Sequence, residues 1–157
     1  MEMLEGMPRE VWVGDVTSST ALRSPPGGSA FALMLVAFGQ ASAPDMRRVA
    51  RSLIDQGCRY AVCAGVDSGD WESAFDDADL QTNPNCEPDR FVTTTSHAAE
   101  SLEEVATFLF SCTAIDGAEA SRFVVATLDG DARDLSAVRA AVSHALMALP
   151  NQPLQRT

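Results

Sequence analysis

The sequence predicts a single α/β domain, a three-layer sandwich with a mainly parallel sheet of four or five strands and helices on both faces. Three observations predict it. Between residues 31 and 149 one phrase recurs: an apolar run, a polar turn, then an amphipathic helix opened by a cap. Alternation of this kind builds a parallel sheet covered by helices. The first run, Phe31 to Phe38, is apolar without interruption, as suits a strand covered on both faces. At 157 residues, 46% hydrophobic and 21% charged, the chain has the size and composition of one globular domain.

Residues 1–30 read as an N-terminal segment and loop, 31–149 as the domain and 150–157 as a frayed tail. Val11-Trp12-Val13 suits a short edge strand, and Ser24-Pro25-Pro26-Gly27-Gly28-Ser29 is a loop by composition. After the Phe31–Phe38 strand, Ser42 is placed to cap a helix, with Pro44 in its first turn and Asp45 at the positive end of its dipole. Met46, Val49, Ala50, Leu53 and Ile54 recur at helical spacing and leave Arg47, Arg48 and Arg51 outside. Gly57 ends the helix in the left-handed conformation.

Tyr60 to Ala64 is the second strand, stopping at Gly65. A short helix follows, with Trp71, Ala74, Phe75 and Ala78 inward. Its acidic residues Asp67, Asp70, Glu72, Asp76, Asp77 and Asp79 read as a solvated face, or as a surface for a basic partner. Thr82 to Asp89 is a loop, and Phe91 to Thr95 is the third strand, ending in Ser96-His97. Ser101 and Glu104 have the capping-box spacing, ahead of a stripe of Leu102, Val105, Ala106, Leu109 and Cys112 that reads as buried. Phe123 to Leu128 is the fourth strand, and a last helix from about Asp134 turns Leu135, Val138, Val142, Ala145, Leu146 and Leu149 inward. The whole suggests a flavodoxin-like or Rossmann-like sheet.

The net charge of −11 argues against nucleic-acid partners, which need clustered cations. All 11 basic residues are arginine. Without lysine there is no Schiff-base or pyridoxal chemistry and no Walker A loop. Gly27-Gly28 precedes its apolar run, so it cannot serve as a phosphate loop. Cys58, Cys63, Cys86 and Cys112 form no C-x-x-C pair, so neither metal nor cofactor is expected. The odd separation of Cys58 and Cys63 on one strand points them to opposite faces. The N-terminus reads as lacking a secretory leader, and the longest apolar run is too short to span a membrane. The expectation is a cytoplasmic protein.

In an open α/β sheet, ligands bind beyond the carboxyl ends of the strands. That rule selects Gly39-Gln40, Gly65 to Asp67, Ser96-His97 and Asp129 to Asp131. His97 is the sharpest candidate for a general base, with Glu100 near in sequence and Asp67 or Asp129 as carboxylate partners on the same edge. The plainer reading of His97 is a loop histidine. A Ser96–His97 nucleophilic pair lacks the G-x-S-x-G elbow. Asp129-Gly130-Asp131 is similar to the aspartate loop of haloacid-dehalogenase-like phosphatases, but Ala132-Arg133 and the missing lysine favour a turn with a helix cap. Trp71 with Phe75 reads as core, or alternatively as a dimer contact.

The stretch from Gly57 to Glu104 resembles an uncharacterised bacterial domain-of-unknown-function family. The likeness is carried by Gly57-Cys58-Arg59-Tyr60, Gly65 with Asp67, Trp71, Asp89-Arg90-Phe91-Val92, Thr94-Thr95 with His97, and Glu100, Leu102 and Glu104. That family has a tryptophan where this chain has Ser96 and another near Cys63-Ala64. The resemblance therefore implies an α/β domain and no shared aromatic pocket. The tail from Asn151 to Thr157 resembles the translated ends of mobile gene cassettes, which implies an integron cassette protein.

Two readings of function follow. The first is a non-enzymatic binding or adaptor module, a homodimer with a small-molecule or basic protein partner. The alternative is a small hydrolase or transferase using His97 with Asp67 or Asp129.

Overall fold

The computed structural model describes residues 1–4, 9–16 and 29–149. The Pro25-Pro26-Gly27-Gly28 loop and the 150–157 tail lie outside them. In chain order the elements are β1 (Glu2–Met3), β2 (Glu10–Val16), β3 (Phe31–Ala37), α1 (Ala43–Asp55), β4 (Cys58–Gly65), α2 (Ser68–Thr82), a 3-10 turn (Pro88–Arg90), β5 (Thr93–His97), α3 (Leu102–Cys112), β6 (Ala114–Ile115), β7 (Ala118–Glu119), β8 (Arg122–Leu128) and α4 (Ala132–Ala148). Among the described residues six strands form the main sheet in the order β1-β2-β8-β3-β4-β5, all parallel except β1. This exceeds the expected four or five, because both β1 and β2 join it.

The uninterrupted apolar run of β3 has the predicted cause. It lies between β8 and β4, and all seven of its residues are buried. From β3 the chain steps sideways through α1 to β4 and through α2 to β5, and right-handed crossovers in one direction place both helices on one face. Helices α1 and α2 accordingly share a core with Leu33, Leu35 and Cys63, and Trp71 and Phe75 are fully buried there. The return to β8 puts α3 and α4 over the other side of the sheet, on Met34, Val62 and Val125. Burying a side chain of this size stabilises by about 1.5–3 kcal/mol. Trp71 is thus core.

Strand β2 runs longer than Val11–Val13 and is flanked on both sides. Along β8 its register extends from Glu10 opposite Arg122 to Val16 opposite Leu128. Arg122, only 6% exposed, donates to Glu10 Oε1 at 2.8 Å and to Ser29 Oγ at 2.6 Å. A buried guanidinium needs such partners.

The caps follow the sequence. Ser42, Ser101 and Asp131 each accept a backbone N–H, the last two within complete capping boxes. Other expectations are corrected. Strand β5 begins at Thr93, two residues later than read, because Pro88–Arg90 forms a turn. Phe31 pairs with Cys58 but Ala32 with Tyr60, so Arg59 is an extra residue. That bulge reverses the alternation, and Cys58 and Cys63 both face the α1–α2 core as free thiols. Burial pushes the Cys58 thiol up to about 12. Cys112, expected inside, is exposed. A second sheet, β6–β7, turns at Asp116-Gly117, both with positive φ, the chemistry of a tight hairpin.

Candidate functional site

Strand register fixes where the predicted residues lie. Ala37 is level with both Gly65 and Leu128, and Ala64 is level with His97. The loops after β3, β4, β5 and β8 therefore share one edge of the sheet. Sharing an edge does not bring them together. Three strand spacings, about 14 Å, separate β8, which leads into Asp129, from β5, which ends at His97.

Asp129 has φ 55° and lies against the β3 loop, where a Cβ on Gly39 would come 3.1 Å from the Asp129 Cβ. Gly130 is as closely covered by Phe38 and Asp134. Asp131 accepts from the backbone N–H of Arg133 at 2.7 Å and of Asp134 at 3.0 Å, so this aspartate serves the cap of α4.

His97 pairs with Ala64, so its side chain turns to the α3 face. Its ring lies 4.7 Å from that of Phe108, and its side chain is 10% exposed. Nδ1 is 3.3 Å from Glu100 Oε1, and Nε2 is 3.2 Å from Thr95 Oγ1. The carboxylate beside the histidine is thus Glu100. Backbone N–H groups at Glu100 and Ala99, and then His97, hold the Glu100 carboxyl below its ordinary value.

Asp67 faces the opposite side. Gly65, with φ +84°, sits where any Cβ would collide with the Ala37 carbonyl oxygen, and Asp67, with φ 54°, opens α2. It lines a half-open cleft of about 310 Å³ between α1 and α2. Asp70, Ser73, Ala74 and Asp77 continue the α2 wall, one helical face at spacings of three and four. Ala43, Met46 and Arg47 form the α1 wall, and Ala41 closes the end near β3. Three carboxylates and one hydroxyl thus face one guanidinium across a partly apolar floor. Among the described residues, no three His, Cys, Asp or Glu side chains gather closely enough to hold a metal ion.

The acidic residues read as one solvated face divide into three groups. Asp67, Asp70 and Asp77 line the cleft. Glu72 and Asp76 accept hydrogen bonds from Ser96 and Thr94 of β5, each at 2.6 Å. Asp79 is 8% exposed, and burial pushes its carboxyl above the ordinary aspartate value. Sequence reasoning missed the cleft, although one signal was present, the i, i+3, i+7 spacing of Asp70, Ser73 and Asp77; the other, two successive crossovers on one face, depends on a strand order that only the structure shows.

Among the described residues no helix is long and apolar enough to cross a membrane. A search of curated proteins found no match to the chain. A family model described as a domain of unknown function matches residues 12–145, which takes in the sheet from Trp12 of β2 onward, α1 to α3, all but the last turn of α4 and both walls of the cleft. The chain belongs to this family, DUF7684.

Proposed function

We propose that the domain is a non-enzymatic binding module, a three-layer sandwich that takes a small, positively charged organic ligand in the α1–α2 cleft. The observation that carries this reading is the convergence of Asp67, Asp70, Ser73 and Asp77 on one wall, with Met46 and Arg47 opposite. About 310 Å³ suits a small molecule, at the low end of ligand-site volumes. The carboxylates attract an ammonium or guanidinium group, and Met46 and Ala74 supply apolar contact for its carbon chain. Arg47 adds one cation on the far wall and so favours a ligand that also bears a carboxylate, such as a basic amino acid. The cleft adjoins the carboxyl ends of β3 and β4, where ligands of parallel sheets sit.

The test is titration calorimetry with arginine, a diamine of similar length and glutamate as probes. Arginine binds most tightly, the diamine more weakly and glutamate not at all. The double variant D70N/D77N, which keeps shape and removes two charges, lowers arginine affinity by about tenfold or more. Equal heats for all three probes contradict the reading.

A second reading, a hydrolase or transferase built on His97, is favoured by the Glu100–His97–Thr95 contacts. It no longer needs Asp67 or Asp129 as the partner of the histidine.

A further inference from the structure

Strand β5 is the last strand of the main sheet, and nothing among the described residues pairs with its outer side. Its register with β4 runs without a bulge from Thr93 to His97. Its sequence, Thr-Thr-Thr-Ser-His, has no proline or lysine, two of the devices by which edge strands refuse a partner. Alternate backbone N–H and C=O groups of such a strand point away from the sheet and can accept a further strand.

The surroundings of this edge select what could be added. Thr94 and Ser96 lie on the α2 side, where their hydroxyls donate to Asp76 Oδ1 and Glu72 Oε2. Two residues apart on a strand is about 6.6 Å, and four apart on a helix is about 6 Å, so the carboxylate row of α2 keeps step with β5. A strand added beyond β5 would lie about 4.8 Å further out. Residues i and i+2 of that strand would then face the same row of carboxylates. Each hydroxyl occupies one direction of approach to its carboxylate, and a carboxylate has about four lone-pair sites.

We infer that the β5 edge takes an extended peptide segment bearing arginine or lysine at alternate positions, with Glu72 and Asp76 as the paired recognition charges. Charge decides against a second copy of this chain as the occupant. Two β5 edges meeting about an axis perpendicular to the sheet would bring both Glu72–Asp76 rows onto one face, in a chain of net charge −11. A peptide with cations at i and i+2 meets the same row with opposite sign. This surface is separate from the α1–α2 cleft, and neither proposal depends on the other.

The experiment uses the full chain and a labelled host peptide of alternating Thr, Val and Arg with arginine at i and i+2. Fluorescence anisotropy gives its affinity, and amide-resolved NMR gives its position. The expected result is saturable binding that weakens with salt, with the largest shifts on Thr93–His97. E72Q/D76N weakens it about tenfold, the size expected for two exposed ion pairs, while D70N/D77N leaves it unchanged. Because E72Q/D76N could disturb β5, the unmodified chain is also titrated with the same peptide methylated on alternate backbone nitrogens, which must lose binding. No binding of the arginine peptide overturns the inference. So does equal binding of a glutamate-substituted peptide. Self-association that protects the β5 amides without any peptide also overturns it and gives the edge to a second copy.

Discussion

Ser96 Oγ donates to Glu72 Oε2 at 2.6 Å, and the same geometry recurs one helical turn away between Thr94 and Asp76. These two contacts fasten the edge strand to the acidic helix. They also explain why a row of carboxylates lies beside a strand that itself carries no cation. The double variant T94A/S96A should lose about 1 kcal/mol of stability, since hydrogen bonds to charged but exposed acceptors contribute modestly. Urea denaturation measures it, and an unchanged midpoint would show that the contacts do not hold β5.

Trp71 is fully buried, and among the described residues its Nε1 has no hydrogen-bond partner. W71A should cost about 3–5 kcal/mol through the cavity it leaves. W71F should cost far less, because no hydrogen bond is lost with the indole. Equal losses for the two variants would mean that the indole nitrogen has a partner.

Gly65→Ala should prevent folding or cost several kcal/mol. The position combines φ +84° with the Ala37 carbonyl oxygen where a Cβ would stand. Gly69→Ala is the control, since a Cβ there meets none of the described residues within 4 Å. Circular dichroism and thermal melting separate the two.

Asp79 gives a pH dependence with a definite sign. Its folded-state carboxyl is raised, first by burial, so the folded chain keeps its proton to higher pH than the unfolded chain. Below the ordinary aspartate range both states are protonated and the residue costs nothing. As pH climbs from there through the raised value, the unfolded state releases its proton more readily and stability falls. D79N should therefore raise the melting temperature at pH 7 and leave it unchanged near pH 3. A variant that is less stable at pH 7 would show that the ionised carboxylate is a net stabiliser, through Arg59 and Arg90 nearby.

His97→Ala should cost about 1–3 kcal/mol, the range for losing a mostly buried side chain with packing and polar partners. A loss well under 1 kcal/mol, with the fold intact, would remove its structural role and strengthen the enzymatic reading.

Local physics was legible in the sequence wherever one short segment carried the signal. The caps at Ser42, Ser101 and Asp131 were of this kind, as was the buried run of β3. Strand β2 was underread because Gly14 and Asp15 interrupt its apolar pattern. What holds it in place is non-local: Glu10 with Arg122, and Asp15 with Thr127 at 2.9 Å. The shared face of Cys58 and Cys63 rests on a bulge at Arg59, and no count of residues along the strand can show a bulge. The β6–β7 hairpin did have a local sign, Asp116-Gly117. The candidate site was hardest, because an edge is shared by every parallel strand whereas a site needs one face and neighbouring strands. His97 and Asp67 follow neighbouring strands but lie on opposite faces, and Asp129 follows a strand three places away, so the carboxylate at His97 is Glu100 and Asp67 belongs to the cleft.

Binding of a small cationic ligand in the α1–α2 cleft, as proposed, is tested most directly by an amide-resolved NMR titration of the full chain with arginine. Saturable shifts confined to Ala41–Arg47 and Asp67–Asp77 are expected, and they vanish in D70N/D77N. Shifts spread evenly over the acidic surface, or no shifts at millimolar arginine, would contradict it.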